Sequence, residues 1–522
     1  MPHRPLPRPI RLTLFLVLFA LVGVALARNV SVFDQFDLLV DVRHEIVSQY
    51  VEEPDQPQMV QAAVRGMVES LDDPYTIFLA PEEIEPFDKA VRGAFSGIGA
   101  EVDIHENRLR IVSPLEDSPA WKAGVMAGDT VLEIDGQSTE GMKITEAVNK
   151  LTGEEGTQVT IKVRHESGET AVFVLTRARI NVQTVRGFRR DAAGKWDYLL
   201  DDQHRIGYIR LTQFTEQTPP AVRAALDELI KQDVRGIILD VRFDPGGLLE
   251  SAAAIADLFL PAGQTIVSIK GRAVREKVLT ATEEGTIPPI PMVILANEAS
   301  ASAAEILTGA LSDNGRALFI GARTFGKGSV QQVKMLDSAR GAIKITNAYY
   351  YLPSGRNIHR RENAEVWGVD PKDGYYVPMT PQETRELVKT RRDNDVLRAN
   401  PTPGSKPENA GDSGGGVIAP DSPSPQWLRE NLKDPQLAAA LEAMLGKLTA
   451  GDWPVVGASG AAQLVKEQKR QTLEMQRDLL TDRLNQINDE LNQLDAPAPG
   501  NADVGSEAEN HSDSEAQSGT EE

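Results

Sequence analysis

The chain has 522 residues, with 55 Lys and Arg against 76 Asp and Glu, a formal net charge of −21, and no cysteine. At about 100–200 residues per domain this length predicts roughly three or four domains, and 41% apolar residues together with 42 glycines can fill several cores. The negative balance argues against a nucleic-acid binder, which needs basic surface to displace counterions. The missing cysteines exclude disulfides, thiolate metal sites and a cysteine nucleophile.

Arg4, Arg8 and Arg11 lead into an uncharged apolar stretch over 12–27 that ends in Ala25-Leu26-Ala27. A basic start, an apolar run and an A-x-A end predict an export signal over 1–30. The run falls short of the roughly 20 residues of a spanning helix, which favours cleavage, whereas Arg28 could anchor a retained segment. Retained, 12–27 contacts the membrane; either way the remainder lies beyond the cytoplasmic membrane, in a periplasmic or other extracytoplasmic space. Residues 31–92 carry apolar positions at helical spacing (Val60, Ala63, Val64, Met67, Val68, Leu71) and predict a helical arm.

Residues 93–179 change character. Short strand-like runs (Leu109–Val112, Val131–Ile134, Val159–Val163, Ala171–Leu175) alternate with glycine turns. Ser118-Pro119 starts a short helix that Gly124 ends, and Met142–Leu151 is a second. Over 180–400, apolar strands at Ile206–Leu211, Gly236–Val241, Thr265–Ile269, Pro291–Ala296 and Ala317–Ile320 alternate with helices at Pro220–Lys231, Leu248–Phe259 and Ala303–Leu311. That alternation predicts an α/β unit with a mixed or parallel sheet. Residues 401–425 read as a Pro/Gly/Ser-rich disordered linker. Residues 426–495 read as a helical extension, with a helix at Leu437–Leu448 and a short heptad seam at Leu473, Leu480, Leu484, Ile487, Leu491 and Leu494. The seam fits either self-association or packing on its own chain. Residues 496–522 hold seven acids and no Lys or Arg, an acidic disordered tail.

The chemistry concentrates in 291–333. An apolar strand ends at Asn297, a small-residue turn follows, and Ser302 falls at the start of the next helix. A hydroxyl there meets free backbone N–H groups and the positive end of the helix dipole; the bland alternative is that Ser300 or Ser302 only caps the helix. Lys327 lies between Gly326 and Gly328 just after the next apolar strand, and two adjacent strands would bring both ends to one sheet edge. A serine needs a base, and a lysine desolvated below its usual pKa of about 10.4 can serve. Gln331, four residues on, returns to the same face, and its amide oxygen could hold the amine without adding charge. The turn Pro245-Gly246-Gly247, after the strand at 236–241, could offer a bare N–H to an oxyanion.

Other motifs fit less well. Gly411-Asp412-Ser413-Gly414-Gly415 matches an active-serine motif but lies in the linker with no strand before it. Gly321–Lys327 resembles a phosphate loop, yet Gly328 stands where a Ser or Thr belongs. No Ser-x-x-Lys or HExxH occurs. Neither a metal nor any other cofactor is expected.

Over roughly 35–395 the chain resembles the C-terminal processing (tail-specific) serine peptidases. The likeness is carried by LDDPYTIFLAPEE (71–83), GAFSGIGAEV (93–102), SPAWKAGVMAGDTVLEIDG (118–136), ILDVRFDPGGLL (238–249), NEASASAAEI (297–306) and the TFGKGSVQ block within 321–332. The resemblance implies Ser302 as nucleophile, Lys327 as base and Gln331 as its orienting residue. Its oxyanion donors fall on the Ala303 N–H and on Gly246 or Gly247. Here the turn reads Arg242-Phe243-Asp244-Pro245-Gly246-Gly247 where the family usually has Arg-Asn-Asn-Pro-Gly-Gly, so a side-chain role in it does not carry over. The resemblance also makes 93–179 a PDZ domain. The turn at Gly97, Ile98 and Gly99 would receive a terminal carboxylate, a peptide would add beside Ala100–Ile104, and Ile98, Ile111, Ala147 and Leu151 would line its apolar pocket.

The expectation is a multidomain α/β and α+β protein: helical N-terminal arm, PDZ domain, α/β serine peptidase core and helical C-terminal extension. Its function would be endoproteolysis of proteins with apolar C-termini, with self-association through 473–494 and no nucleic acid. The rival is a non-enzymatic PDZ scaffold with a decayed core.

Overall fold

The computed structural model describes residues 36–396 and 417–460, apart from 93, 106, 166, 192–193, 283–286, 338–339, 363 and 418, together with parts of 466–491. The expected signal over 1–30, residues 401–416 of the linker and the acidic tail lie outside the described residues. No described helix is long and apolar enough to cross a membrane.

The arm contains helices α1 (residues 36–49), α2 (Gln56–Glu69) and α3 (Pro81–Arg92). Asp55 caps α2 by accepting the Gln58 N–H. One part of the arm is not helical. Strand β1 (Ile77–Leu79) pairs antiparallel with residues 342–344, so the arm enters a sheet of the core. Phe78 and Leu79 are buried there, which the helical spacing of the preceding residues does not reveal.

The next unit comprises β2 (Ala94–Gly97), β3 (Ala100–His105), β4 (Arg108–Pro114), α4 (Pro119–Ala123), β5 (Thr130–Ile134), β6 (Gln137–Ser138), α5 (Ile144–Leu151), β7 (Gln158–Arg164), β8 (Thr170–Thr176) and β9 (Ala178–Asn181). Strands pair antiparallel in the order β3-β4-β5-β7-β8. Alternate residues such as Leu109 and Ile111, Val159, Ile161 and Val163 turn inward and are fully buried. The Ser118 hydroxyl caps α4, and Gly124 ends it at φ 91°. The ribbon of β2 and β9 closes the unit and returns the chain to the core.

The core continues with β10 (Val185–Arg186), β11 (Arg189–Arg190), β12 (Trp196–Asp197), β13 (Leu199–Asp201), β14 (Ile206–Leu211), α6 (Thr218–Lys231), β15 (Gly236–Asp240), α7 (Leu249–Asp257), β16 (Thr265–Lys270), β17 (Lys277–Thr280), β18 (Met292–Ala296), α8 (Ala303–Asp313), β19 (Leu318–Gly321), β20 (Ser329–Met335), β21 (Ala342–Tyr351), α9 (Pro381–Asp395), α10 (Pro425–Asn431) and α11 (Pro435–Ala450). Strands β14, β15, β18 and β19 are parallel neighbours. Their continuous apolar runs are buried on both faces, as a parallel sheet requires. Helices α6, α7 and α8 fill one face and α10 and α11 the other.

Two expectations change here. The run at Thr265–Ile269 does not join the parallel sheet; as β16 it pairs antiparallel with β17 and β21 in a second sheet that also holds β1 and β20. Helix α8, buried from Ala303 to Leu311, packs against both sheets. The C-terminal extension is also not separate up to Ala450: Leu437, Leu441 and Met444 lie against Ile238, Val293 and Leu295 of the parallel sheet. Beyond it, Leu473, Leu480, Leu484, Ile487 and Leu491 are exposed among the described residues; Leu494 lies outside them.

Candidate active site

Strand β18 ends at Ala296, and the chain turns through 297–302 into α8. Side chains shape that turn. Asn297 Oδ1 accepts the N–H groups of Phe243 (3.1 Å) and Ala299 (3.2 Å). The fully buried Ser300 hydroxyl donates to the Val241 carbonyl (2.8 Å), so Ser300 is a structural pin. Ser302 follows at φ 57° and ψ −114°, a backbone conformation L-residues rarely adopt and one that surrounding structure must hold in place.

Glu305 does much of that holding. Fully buried one turn into α8, its carboxylate accepts the Ser302 N–H (2.9 Å), the Gly326 N–H (2.7 Å), the Lys327 N–H (2.8 Å) and the Thr324 hydroxyl (2.5 Å). Burial pushes its pKa up while these four donors oppose the shift. One carboxylate thus bridges the backbone of Ser302 to the glycine loop carrying Lys327. Sequence reading missed Glu305, although Ser302-Ala-Ala-Glu305 has the spacing in which a glutamate reaches back to a helix N-terminus.

The Ser302 hydroxyl pairs with the Tyr350 hydroxyl at 2.9 Å. Tyr350 is buried on β21, and desolvation keeps its phenol protonated. The Lys327 amine makes no hydrogen bond to Ser302 among the described residues; it lies 4.8 Å from the ring centre of Tyr75, a residue of the arm. Burial, and then nearby Lys344, lower the Lys327 pKa, while Glu305 and Asp73 pull it back.

Gln331 makes no hydrogen bond to Lys327 among the described residues. Its Nε2 donates to Ser329 Oγ (2.9 Å) and Thr346 Oγ1 (3.2 Å). Lys327 and Gly328 precede β20, so the strand alternation that would set Gln331 on the same face as the lysine does not extend back to Lys327.

The glycine turn does meet the serine. A methyl group on Gly246 would stand 2.5 Å from the Ala301 carbonyl oxygen, 2.8 Å from Ser302 Cβ and 2.9 Å from Ala303 N, and φ at Gly246 is +95°. Only glycine fits so close a backbone. The Gly246 N–H donates to Asp244 Oδ1 at 2.7 Å. The N–H groups of Gly247 and Ala303 have no partner among the described residues. Asp244 is buried with Oδ2 unpartnered, and desolvation pushes its pKa up to about 8. Beneath the turn, Arg242 is clamped by Asp240 (2.7 Å) and by Asp434 of the extension (2.7 Å), with Arg391 on the same two carboxylates. These opposing charges hold Asp240 well below the usual carboxylate range despite its burial.

In the 93–179 unit, β3 is the sheet's edge strand and α5 packs beside it. Gly97 ends β2. The Ile98 carbonyl accepts from Ala120 N (2.9 Å) and the Gly99 carbonyl from Leu115 N (2.9 Å), while the N–H groups of Ile98 and Gly99 have no partner among the described residues. Gly99 has φ +73°, and a methyl group there would stand 2.3 Å from Ser118 Cβ. Ile98, Ile111, Ala147 and Leu151 do not line an open pocket; all four are packed into the unit's own core. The apolar side chains that α5 leaves exposed are Ile144 and Val148.

Comparison with known proteins defines the class. Residues 205–372 match peptidase family S41, residues 110–165 a PDZ domain, and residues 27–83 the N-terminal domain of the activating protease CtpB. The carboxy-terminal processing protease CtpA of Bacillus subtilis is 34% identical over 63% of this chain and 67% of its own length. The carboxy-terminal-processing protease of Bartonella bacilliformis is 34% identical over 70% of this chain and 83% of its own. Among solved structures, a photosystem II D1 C-terminal processing protease is 30% identical, covering 65% of this chain and 86% of that one, with a TM-score of 0.39. The chain belongs to the carboxy-terminal processing proteases, serine peptidases of family S41 with a PDZ domain. It is therefore read as an enzyme and not as a scaffold with a decayed core.

Proposed function

We propose that this protease works by a Ser302–Lys327 dyad on protein C-terminal tails delivered by the PDZ domain. The observation that carries the reading is the buried Glu305 carboxylate, which ties the backbones of Ser302 and Lys327 into one constellation. The Ser302 hydroxyl turns from Tyr350 toward Lys327, whose lowered pKa supplies a neutral amine as base. The amine takes the serine proton as Oγ attacks the scissile carbonyl. The N–H groups of Ala303 and Gly247 receive the developing oxyanion; Gly246 N–H is already engaged by Asp244. Collapse expels the amine, which takes the proton from the Lys327 ammonium, and the neutral lysine then activates water to hydrolyse the acyl-enzyme. Gln331 Oε1, which accepts no hydrogen bond among the described residues, is the acceptor that would hold the lysine amine once Lys327 turns toward Ser302.

Free N–H groups at Ile98 and Gly99, an edge strand at β3 and exposed Ile144 and Val148 support capture of an apolar C-terminus in the PDZ groove. The basic, apolar and A-x-A pattern over 1–30 supports export across the cytoplasmic membrane. Purified protein is to be incubated with fluorescein-labelled casein. Fragments are expected from wild type and none from Ser302→Ala or Lys327→Ala. Full cleavage by Ser302→Ala would sink the dyad.

A further inference from the structure

The arm contributes more to the site than a strand. Before β1, the segment Asp73-Pro74-Tyr75-Thr76 closes on itself: Asp73 Oδ1 accepts the Tyr75 N–H (3.0 Å) and Oδ2 accepts the Thr76 hydroxyl (2.6 Å). Thr76, buried, accepts the Thr346 N–H at 3.0 Å, which stitches the segment to β21. The Thr346 hydroxyl accepts from Gln331 Nε2 at 3.2 Å. The Tyr75 ring meanwhile faces the Lys327 amine.

We propose that Asp73 and Tyr75 are positioning residues of the protease, Tyr75 by covering the Lys327 amine and Asp73 by fixing, through its bonds to the Tyr75 N–H and the Thr76 hydroxyl, the turn that carries that ring. The proposal rests on the Ser302–Lys327 reading.

Asp73 holds that ring in place. Its carboxylate accepts from the Tyr75 N–H and the Thr76 hydroxyl, and Thr76 in turn accepts from the Thr346 N–H, so the turn that carries Tyr75 is tied to β21. Without the Asp73 oxygens the turn loses two of these bonds.

Tyr75 acts on Lys327 in two opposed ways. Its ring attracts the ammonium, by about 0.5–1 kcal/mol at exposed sites, and it keeps water off the amine. Burial is the leading cause of the lowered Lys327 pKa, so removing the ring returns the amine to water and raises its pKa. The titratable groups facing this cluster are Asp73 and Tyr75 from the arm, Glu305 from α8, Lys344 from β21, and His359, which faces Asp73.

The test uses the full chain, fluorescein-labelled casein and the pH dependence of kcat/KM. Activity needs neutral Lys327, so the acidic limb reports its pKa. Tyr75→Ala is expected to move that limb to higher pH by about half a unit or more, and Tyr75→Phe to return it to its wild-type position. Asp73→Ala, which frees the turn that carries the ring, is expected to move the limb in the same direction by about half a unit. A limb unmoved in both Tyr75→Ala and Asp73→Ala would overturn the proposal. If Tyr75→Ala does not fold, Asp73→Ala decides by the same criterion. Cleavage persisting in Ser302→Ala would instead show that the dyad reading has failed.

Discussion

Glu305 sits where three backbone N–H groups and a hydroxyl converge, and each would be a buried orphan without it. Glu305→Ala should lower kcat/KM on casein by about 100-fold or more, because a misplacement near 1 Å can cost that much, and should destabilise the fold by about 3 kcal/mol in a urea titration. Gly246→Ala should leave the chain folded by circular dichroism yet reduce kcat by about 100-fold or more, comparable to losing an oxyanion donor, since its methyl group would press on Ala301, Ser302 and Ala303. Asp244 predicts a pH effect. Its folded pKa, raised to about 8 from an ordinary 3.8, means the native state keeps a proton that the unfolded chain releases. Asp244 therefore costs no stability below pH 4 and progressively more up to pH 8. Asp244→Asn should match wild type in urea midpoint at pH 4 and exceed it at pH 8; equal midpoints at both would contradict the raised pKa. At this scale the sequence was legible wherever residue type and local turn coincide, as at Ser302, Lys327 and the glycine pair. Tyr350 and Tyr75 left no local signal, because their part depends on strands distant in sequence.

Among the elements, the parallel strands and their helices were readable because long apolar runs and helical spacing are local patterns. β14 matches its expected bounds, Ile206–Leu211, and α8 begins as expected at Ala303. The hairpin of β20 and β21 was not readable: β20 is mostly exposed and polar beyond Val330, and pairing rather than burial makes it a strand. The register slip at Gln331 likewise arises only when two strands are aligned. The extension was readable as helices but not as half of a core. Asp434 binds Arg242 beneath the glycine turn with both groups nearly inaccessible. Asp434→Ala leaves that cation short of a partner and should cost about 3–5 kcal/mol, the usual penalty for breaking a buried pair; a urea midpoint within error of wild type would contradict this.

At the scale of the whole molecule, the exposed heptad positions from Leu473 to Leu491 predict self-association. Sedimentation of the purified chain should show a higher species that a variant ending at Ala450 loses; identical sedimentation of both, as monomers, would remove the idea. The sequence by itself determined the peptidase family and the order of arm, PDZ domain and peptidase core, and it pointed to Ser302, Lys327, Gln331, Gly246 and Gly247 as candidates, because each stands in a short local pattern of residue types. Tertiary structure alone decided that the arm supplies Tyr75 to the lysine, that the extension clamps Arg242, and that the Ser302 hydroxyl rests on Tyr350. Those contacts join residues roughly 50 to 250 positions apart, and the burial and pairing that create them exist only once the sheets have closed around α8. The net charge says little about this site: part of the −21 lies in the seven acids of the tail, while the lysine answers to burial and its immediate neighbours.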